Sequence, residues 1–387
     1  MRSRFLVPAV LFSLSVFPAY AQTTKPVNKA ALVKSSDALI AARNYRQAAL
    51  ELSKAIALNP RDAELYMLRS FAYGAGGEQH KAEDDRQAFT NINYKGRKPL
   101  LARLHRQFQA LATREPKNFR AYLNMGDVQS YLMDYPGALK SYNQAVALAP
   151  QFPLAYTARG FVYAQTNEFD KALVDCNRAI ALQPKDFDAY ICRSFVYLNQ
   201  RKLDLALKDC NKAISLAPNN SSSFWFRGLV QGSRGNSEEA VRDYDKSVLL
   251  NPLSANIYIG RASVRFALQQ SGIAREDLEI AEQLTSDNPE IYSIRAVIYN
   301  QRKEYAQAVA QYDRAIALSP KNASFYYLRA ENLIQLPEKS STTSSKALAD
   351  YNRAVEVAPQ DPLVYLFRAS YYYSKDESAK ALSDLAK

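Results

Sequence analysis

The apolar pattern of this chain repeats at long range. The stretch Ala-Ile-Ala-Leu-Asn-Pro at 55–60 returns with small changes at 179–184, 213–218 and 315–320. The prolines in equivalent places are Pro60, Pro116, Pro150, Pro184, Pro218, Pro252, Pro320 and Pro359. Four consecutive intervals between them are 34 residues, and the interval from Pro252 to Pro320 is twice that. This period predicts an array of helical hairpins.

Each period predicts two closely packed helices. Small residues recur in the first helix at Gly126, Gly160, Ser194, Gly228 and Ala296. Aromatic residues early in the first helices are Tyr122, Tyr156, Tyr190, Tyr258 and Tyr292. The small side chains allow the two helices to approach each other, and we expect the aromatic rings to fill the gap beside them. Each proline then ends a second helix.

One segment, 153–186, shows the whole pattern. Its marker residues are Tyr156, Gly160, Tyr163, Ala172, Ala179 and Pro184. The segment resembles the tetratricopeptide repeat family, and the resemblance extends from about residue 29 to the end of the chain. It implies an all-α, right-handed superhelical solenoid of about ten antiparallel helix hairpins. It also implies a protein that binds other proteins and is not an enzyme.

Departures from the repeat divide the chain into segments. Hairpins are predicted over 29–94, although the hairpin at 63–94 lacks its closing proline. An inserted basic amphipathic helix is predicted at 95–118, and a continuous array at 119–387. Within that array Ser286 replaces a closing proline, and a loop insertion is predicted at 337–346.

The N-terminus is typical of a secretory signal peptide. Arg2 and Arg4 precede an apolar run over 5–17, and Ala19-Tyr20-Ala21 matches the small-x-small cleavage pattern. We therefore expect a signal peptide at 1–21 and a short linker at 22–28. The protein is expected to be exported, periplasmic or secreted, after cleavage near Ala21, and the signal has a bacterial form. An uncleaved anchor is the less favoured alternative, because the run is shorter than the ~20 residues that span a bilayer.

The three cysteines are predicted to be structural. Cys176 and Cys210 occupy equivalent places one repeat apart, where small apolar residues pack. An odd number of cysteines cannot all pair within one chain. Burial is therefore favoured over redox chemistry.

Arginine and aspartate are gained and lost together within hairpins. Arginines that follow the early aromatic by three are Arg69, Arg159, Arg193, Arg227, Arg261, Arg329 and Arg368. The aspartates in the same hairpins are Asp85, Asp175, Asp209, Asp243, Asp277, Asp350 and Asp384. The hairpin at 119–152 has Met125 and Ser141 instead, while Arg295 faces Gln311 as the one exception. We predict structural pairs such as Arg159 with Asp175, because an unpaired charge against the second helix would be costly. A ladder of arginines that binds acidic ligands is the alternative.

The first helices carry an apolar stripe at the positions expected to line a concave surface. The predicted partner-binding groove consists of Ile191, Phe195, Leu198, Trp225, Leu229 and Phe266. Such a groove suits an apolar or amphipathic segment of an unidentified protein or peptide. The family's carboxylate-binding Lys and Asn are replaced here by residues such as Ile191 and Trp225. The alternative is that neighbouring hairpins cover the stripe as core.

A basic patch coincides with the inserted helix. Eight basic residues between 95 and 120 oppose the single acid Glu115. The predicted patch consists of Lys95, Arg97, Lys98, Arg103, Arg106 and Arg114. Leu101, Leu104, Phe108 and Leu111 form one apolar helical face. The helix could contact an anionic membrane surface or an acidic protein, or pack its apolar face onto the neighbouring hairpins, which we favour.

Catalytic chemistry is not indicated. The two histidines, His80 and His105, lack metal-ligand spacing, and no glycine-rich phosphate loop occurs. We therefore expect no catalytic residues, no metal and no cofactor. Nucleic-acid binding is disfavoured, because the interleaved aromatics of a stacking surface are sparse in the basic segment. The leading hypothesis is an extracytoplasmic binding scaffold. The alternative is a structural subunit of an envelope or secretion assembly that acts through the basic helix and the array ends, with self-association.

Overall fold

The computed structural model describes residues 29–42, 44–60, 62–76, 81, 85, 89, 97–337 and 341–387. All regular structure in these residues is α-helical, and consecutive helices pack in pairs along the chain. The sequence-based prediction of an all-α solenoid of helix hairpins is confirmed. The predicted signal peptide and linker, 1–28, lie outside the described residues.

Twenty helices occur in the described residues. The first hairpin is α1 (Lys29–Ala41) with α2 (Tyr45–Leu58), and α3 (Ala63–Gly76) follows. Helix α4 (Arg97–Arg114) precedes an uninterrupted series of eight hairpins. These are α5 (Phe119–Tyr131) with α6 (Tyr135–Leu148), α7 (Pro153–Gln165) with α8 (Phe169–Leu182), α9 (Phe187–Asn199) with α10 (Leu203–Leu216), α11 (Ser221–Ser233) with α12 (Ser237–Leu250), α13 (Ala255–Ala267) with α14 (Ser271–Leu284), α15 (Pro289–Gln301) with α16 (Tyr305–Leu318), α17 (Ala323–Ile334) with α18 (Ser341–Val357), and α19 (Pro362–Ser374) with α20 (Ser378–Leu385).

A residue with positive φ ends the first helix of most hairpins. These residues are Met133, Asn167, Arg201, Gly235, Gln269 and Lys303, at intervals of 34, followed by Asp376. The next residue donates its backbone N–H to a carbonyl five positions earlier, as Glu168 does to Tyr163 at 2.8 Å. This left-handed cap satisfies carbonyls at the helix end and turns the chain into the second helix.

A tyrosine hydroxyl closes the turn between hairpins. The early Tyr156 donates to the carbonyl oxygen of Pro150 at 3.1 Å, and Tyr190 donates to that of Pro184 at 3.2 Å. The same bond recurs from Tyr66, Tyr258, Tyr326 and Tyr365. Tyr292 keeps the bond with Ser286 at 3.0 Å. The proline ring is therefore dispensable at this position, because the acceptor is a backbone carbonyl.

Rings from the second helix cover the small residues of the first. A Cβ at Gly126 would lie 2.5 Å from the Tyr142 ring, and one at Gly228 would lie 2.9 Å from Tyr244. The early tyrosines were expected to fill these gaps. At these two glycines the nearest atoms belong instead to Tyr142 of α6 and Tyr244 of α12, whereas the early Tyr156 of another hairpin donates to the turn. Helix contact is therefore tightest where glycine faces a buried tyrosine.

The first helices form a continuous layer. From α7 to α19, each first helix contacts its own second helix and that of the preceding hairpin, and α7, α9, α11, α13 and α15 also contact one another in sequence. Side chains at equivalent positions of these helices are therefore neighbours. This layer positions the candidate groove.

One predicted loop is shorter than expected. Residues 341–346, assigned to the loop insertion at 337–346, belong to the first turns of α18. The segment Ser-Thr-Thr-Ser-Ser-Lys contains no Pro or Gly to stop the helix, so the helix extends toward its N-terminus. The extension explains why Arg329 pairs with Asp350 across 21 residues, where the other hairpins use 16.

Candidate functional site

An aromatic row crosses three consecutive first helices. The Phe161 ring of α7 lies 6.3 Å from Phe195 of α9, which lies 6.2 Å from Phe226 of α11. Trp225 packs edge-on against Phe226, with ring centroids 4.7 Å apart. All four side chains are half-buried. The row is therefore both packed and open to solvent on one side.

A hydrogen bond fixes the orientation of Trp225. Its indole N–H donates to the carbonyl oxygen of Asn256 on α13 at 3.2 Å. Trp225 also packs with Leu229 against a core that includes Tyr244 and Ile257. The indole is thus anchored at two points while part of its face stays accessible, as expected of a binding anchor with little rotamer entropy to lose.

The predicted groove residues separate into two groups. Phe195, Leu198, Trp225, Leu229 and Phe266 are half-buried on the first-helix layer. Ile191 is only 2% exposed and packs with Phe187 and Ala213. Ile191 therefore belongs to the core and supports the row from below.

Phe226 was not among the predicted groove residues. It occupies the position held by Ala158, Cys192 and Gly260 in neighbouring hairpins. A large aromatic where the adjacent hairpins have small residues was the signal that could have identified it. It links Trp225 to Phe195, because its ring packs against both.

Each predicted Arg–Asp pair forms a bidentate ion pair. The Nε and Nη2 atoms of Arg159, Arg193 and Arg227 donate to Asp175, Asp209 and Asp243 at 2.6–2.8 Å. The aspartates are almost fully buried. The hydrogen bonds with Asp209 raise the pKa of Arg193 above its ordinary value. These arginines are engaged inside the array.

The same arginines also bind the preceding hairpin. Arg193 Nη1 donates to Asn177 Oδ1 on α8 at 2.7 Å, and Arg227 Nη1 donates to Asn211 Oδ1 on α10 at 2.9 Å. Every guanidinium therefore joins three helices, two of its own hairpin and one before it. We call this series of contacts the arginine ladder.

The two hairpins that lack the Arg–Asp pair make other contacts at these positions. Ser141 is hydrogen-bonded to the Gln129 side chain at 2.6 Å, and Met125 packs against the N-terminal core. Arg295 forms an ion pair with Glu282 of the preceding hairpin at 2.7 Å. A buried oxygen of Gln311 has no partner among the described residues. Arginine without its aspartate thus finds another carboxylate.

The apolar face of α4 is part of the core. Leu101 and Leu104 are each 1% exposed and pack with α3 residues such as Leu65 and Met67. The face is consequently unavailable for insertion into a membrane. This arrangement is the one that the sequence favoured.

The basic side chains of α4 have different environments. Arg103 forms an ion pair with Glu64, whereas Arg106 and Arg114 are exposed. Lys95 lies outside the described residues, as do the side chains of Arg97 and Lys98. Reversing the charge of Arg103 would place two carboxylates together, so Arg106 and Arg114 are the better probes of this surface.

Two cysteines from different hairpins are joined. Cys176 on α8 and Cys192 on α9 form a disulfide with Cα atoms 6.2 Å apart, a normal separation. A Cβ at Gly160 would lie 3.1 Å from both sulfur atoms, so glycine leaves room for the bridge. Cys210 is free, and burial raises the pKa of its thiol to about 12. A protonated buried thiol is a poor nucleophile.

The described residues contain no cluster of three or more His, Cys, Asp or Glu that could hold a metal ion. Across the same parts of the chain, none of the helices combines the length and apolar character needed to cross a bilayer.

Comparison with known proteins identifies similar repeats. A TPR repeat model matches residues 134–167 and 296–333, and two tetratricopeptide repeat models match 153–186 and 187–220. No curated protein sequence matches the chain significantly.

Three solved structures share the fold at low identity. A tetratricopeptide repeat protein from Parabacteroides merdae is 20% identical, with a TM-score of 0.50 over 70% of this chain and 98% of that one. Yeast Tom70 is 18% identical, with a TM-score of 0.53 and coverages of 92% and 84%. A chain of the APC/C hetero-tetramer Cut9–Hcn1 is 14% identical, with a TM-score of 0.58 and coverages of 93% and 80%.

Proposed function

We propose that this chain, which matches models of the tetratricopeptide repeat family over 134–220 and 296–333, is a non-enzymatic scaffold that binds a partner in the groove of its first helices. Members of this family generally mediate protein–protein interactions. The observation that carries the proposal for this chain is the aromatic row of Phe161, Phe195, Phe226 and Trp225. The row leaves four aromatic side chains partly open to solvent, and aromatic residues are enriched at protein interfaces.

The chemistry of the row favours an apolar or amphipathic segment of a protein or peptide. The arginines that could attract an acidic ligand are already held in the ladder. Three or four anchors that each bury an apolar side chain contribute ~1.5–3 kcal/mol apiece, and association costs offset part of this. The expected affinity is therefore roughly micromolar.

Capture of a partner by substituted proteins tests the groove. Trp225→Ala combined with Phe195→Ala should abolish capture of a partner that binds in high salt. The matched control is Val174→Ala with Leu249→Ala, because these second-helix residues are 68% and 74% exposed and lie away from the row. Circular dichroism must show that both double variants remain folded. Equal capture by both variants would refute the groove.

We also propose that the chain acts outside the cytoplasm after removal of residues 1–21. The Ala19-Tyr20-Ala21 sequence before Gln22 supports this proposal. Mass spectrometry of the protein from a fractionated host should find an N-terminus at Gln22. An intact Met1 in an envelope or secreted fraction would contradict it.

A second candidate surface is the exposed part of α4, which would serve a structural subunit of an envelope or secretion assembly. Arg106 and Arg114 remain open to solvent while the apolar face is covered, which favours an acidic protein over a bilayer. Arg106→Glu with Arg114→Glu should then abolish capture of a partner that is lost at high salt. Retention of that partner would exclude this surface.

A further inference from the structure

A cavity of about 380 Å³ lies where the inserted helix meets the array. Its walls come from α1, α3, α4 and α5, together with Tyr45 at the start of α2. The volume falls in the range of small-molecule sites. Helix α4 has no counterpart in the regular hairpins, so the cavity lies at a junction that the repeat does not reproduce.

The body of the cavity is apolar. Leu68 and Phe71 of α3 and Leu104 and Phe108 of α4 line it. All four side chains are buried, and Phe71 meets Phe108 edge-on with ring centroids 4.5 Å apart. These walls are held in place by the N-terminal core and would accept an apolar group without rearrangement.

One end of the cavity is polar and cationic. Arg120 lines it and donates a hydrogen bond to the carbonyl oxygen of Gly74 at the end of α3. The guanidinium also lies over Phe119 and Phe152, at 5.2 and 5.5 Å from the ring centroids. The amide of Asn124, a residue only 6% exposed, lines the same end. Neither side chain has a carboxylate partner among the described residues.

Arg120 differs in this respect from the arginine ladder. Carboxylate hydrogen bonds raise the pKa of Arg193, whereas burial lowers the pKa of Arg120. A half-buried guanidinium beside an apolar cavity lacks the anion that every ladder arginine has. Arg114 also lines the cavity, but its side chain is 60% exposed and lies 3.5 Å from Glu115. One cation is therefore available, which suits a ligand with a single negative charge.

We propose that this cavity binds a small amphipathic carboxylate with a medium-length apolar tail, of the fatty-acid class. The tail lies against the apolar wall that Leu68, Phe71, Leu104 and Phe108 form together, and the carboxylate pairs with Arg120 and accepts a hydrogen bond from Asn124. The site is separate from the aromatic row, so this proposal does not depend on the proposed scaffold function.

Calorimetric titration of the chain without residues 1–21 tests the proposal. Hexanoate, octanoate and decanoate should bind one per chain, and affinity should rise roughly fourfold with each added methylene until the cavity is full. Decanol and the decanoate methyl ester should bind at least tenfold more weakly than decanoate. Saturable decanoate binding without a preference over decanol would overturn the proposal, as would the absence of saturation.

Two variants locate the site. Arg120→Gln should weaken decanoate binding roughly tenfold to a hundredfold, while Arg120→Lys should lose less. The matched control is Arg106→Gln, which removes an exposed charge of α4 that does not line the cavity.

A blocking variant covers the case in which Arg120→Gln does not fold. Ala110 lines the cavity but is exposed at the surface, so Ala110→Trp should obstruct the cavity without altering charge. Undiminished decanoate binding by Ala110→Trp would place the site elsewhere. Competition by an acidic peptide, with no dependence on tail length, would assign the cavity to a protein terminus and likewise overturn the proposal.

Discussion

Substituting one arginine of the ladder should lower the free energy of unfolding by an amount that depends on whether its aspartate is still present. In Arg193→Met the carboxylate of Asp209, whose side chain is 6% exposed, loses both charge-assisted hydrogen bonds. Breaking a buried pair from one side costs ~3–5 kcal/mol, because the remaining charge is uncompensated. The hairpin at 119–152 already carries Met and Ser at these positions. Arg193→Met with Asp209→Ser should therefore cost only ~1–2 kcal/mol, since no buried charge remains.

The measurement combines urea unfolding with hydrogen exchange by mass spectrometry. Exchange is needed because helical arrays do not always unfold in one step. Arg193→Met should accelerate exchange in α8 as well as in α9 and α10, because it also loses the 2.7 Å bond to Asn177. Asp209→Ser should affect mainly α9 and α10. If the single and double substitutions cost the same, or if Arg193→Met costs less than ~1 kcal/mol, the ladder is not a stabilising device.

Three further predictions concern groups inside the repeats. Iodoacetamide should label no thiol in the native chain, one after denaturation and three after denaturation with reduction. The reason is that Cys176 and Cys192 form a disulfide and Cys210 is buried. Labelling of the native protein would contradict this prediction. Burial raises the pKa of Tyr142, Tyr244, Tyr312 and Tyr351. Above about pH 10 the unfolded chain therefore loses protons that the folded chain keeps, so the free energy of unfolding should fall with rising pH. An ultraviolet titration of tyrosinate should show these four ionising only on unfolding. Met133→Gly should raise the free energy of unfolding by ~0.5–1 kcal/mol and Gly235→Ala should lower it, because both residues have positive φ; opposite signs in thermal unfolding would refute the role of the turn.

The repeated parts of the molecule were the predictable parts. The 34-residue period defines both helices of a hairpin, and every further copy adds evidence for the same element. The joint gain and loss of arginine and aspartate also indicated contact, because Met125 and Ser141 replace both in one hairpin. The structure forms bidentate pairs at these places.

The contacts between hairpins were not predictable in the same way. The side chain that accepts from Arg193 Nη1 is Asn177, but the equivalent residue is Ser53 for Arg69 and Asp245 for Arg261. Any short side chain with an acceptor oxygen can fill this position. The sequence therefore shows no joint loss of the arginine and its acceptor from which the contact could be predicted. Cys192 was missed for a similar reason, since its partner is in the preceding hairpin.

The packing of the inserted helix α4 could not be predicted from the repeat. The amphipathic pattern of α4 indicated a buried face, but the sequence offered no register against α3 and α5. The cavity depends on that register, because residues from α1 to α5 line it together. For the apolar stripe, the spacing was clear from the sequence. The sequence did not show which of its residues the neighbouring hairpins bury, and Ile191 proved to be core.

The two candidate binding sites should act independently, because they lie on different helices. The aromatic row lies on α7, α9 and α11, where each hairpin is tied to the next by a complete arginine contact. The cavity lies beside the hairpin that lacks this arginine and carries Arg120 at its start. A ligand that pairs with Arg120 would tighten the junction of α3, α4 and α5, and none of the residues that line the cavity lies on α7, α9 or α11. We therefore expect Arg120→Gln to leave partner capture through Trp225 unchanged. A change in capture, with the fold intact by circular dichroism, would show that the two sites are coupled, and the bond from Arg159 to Asn143 of α6 is a contact that could connect them.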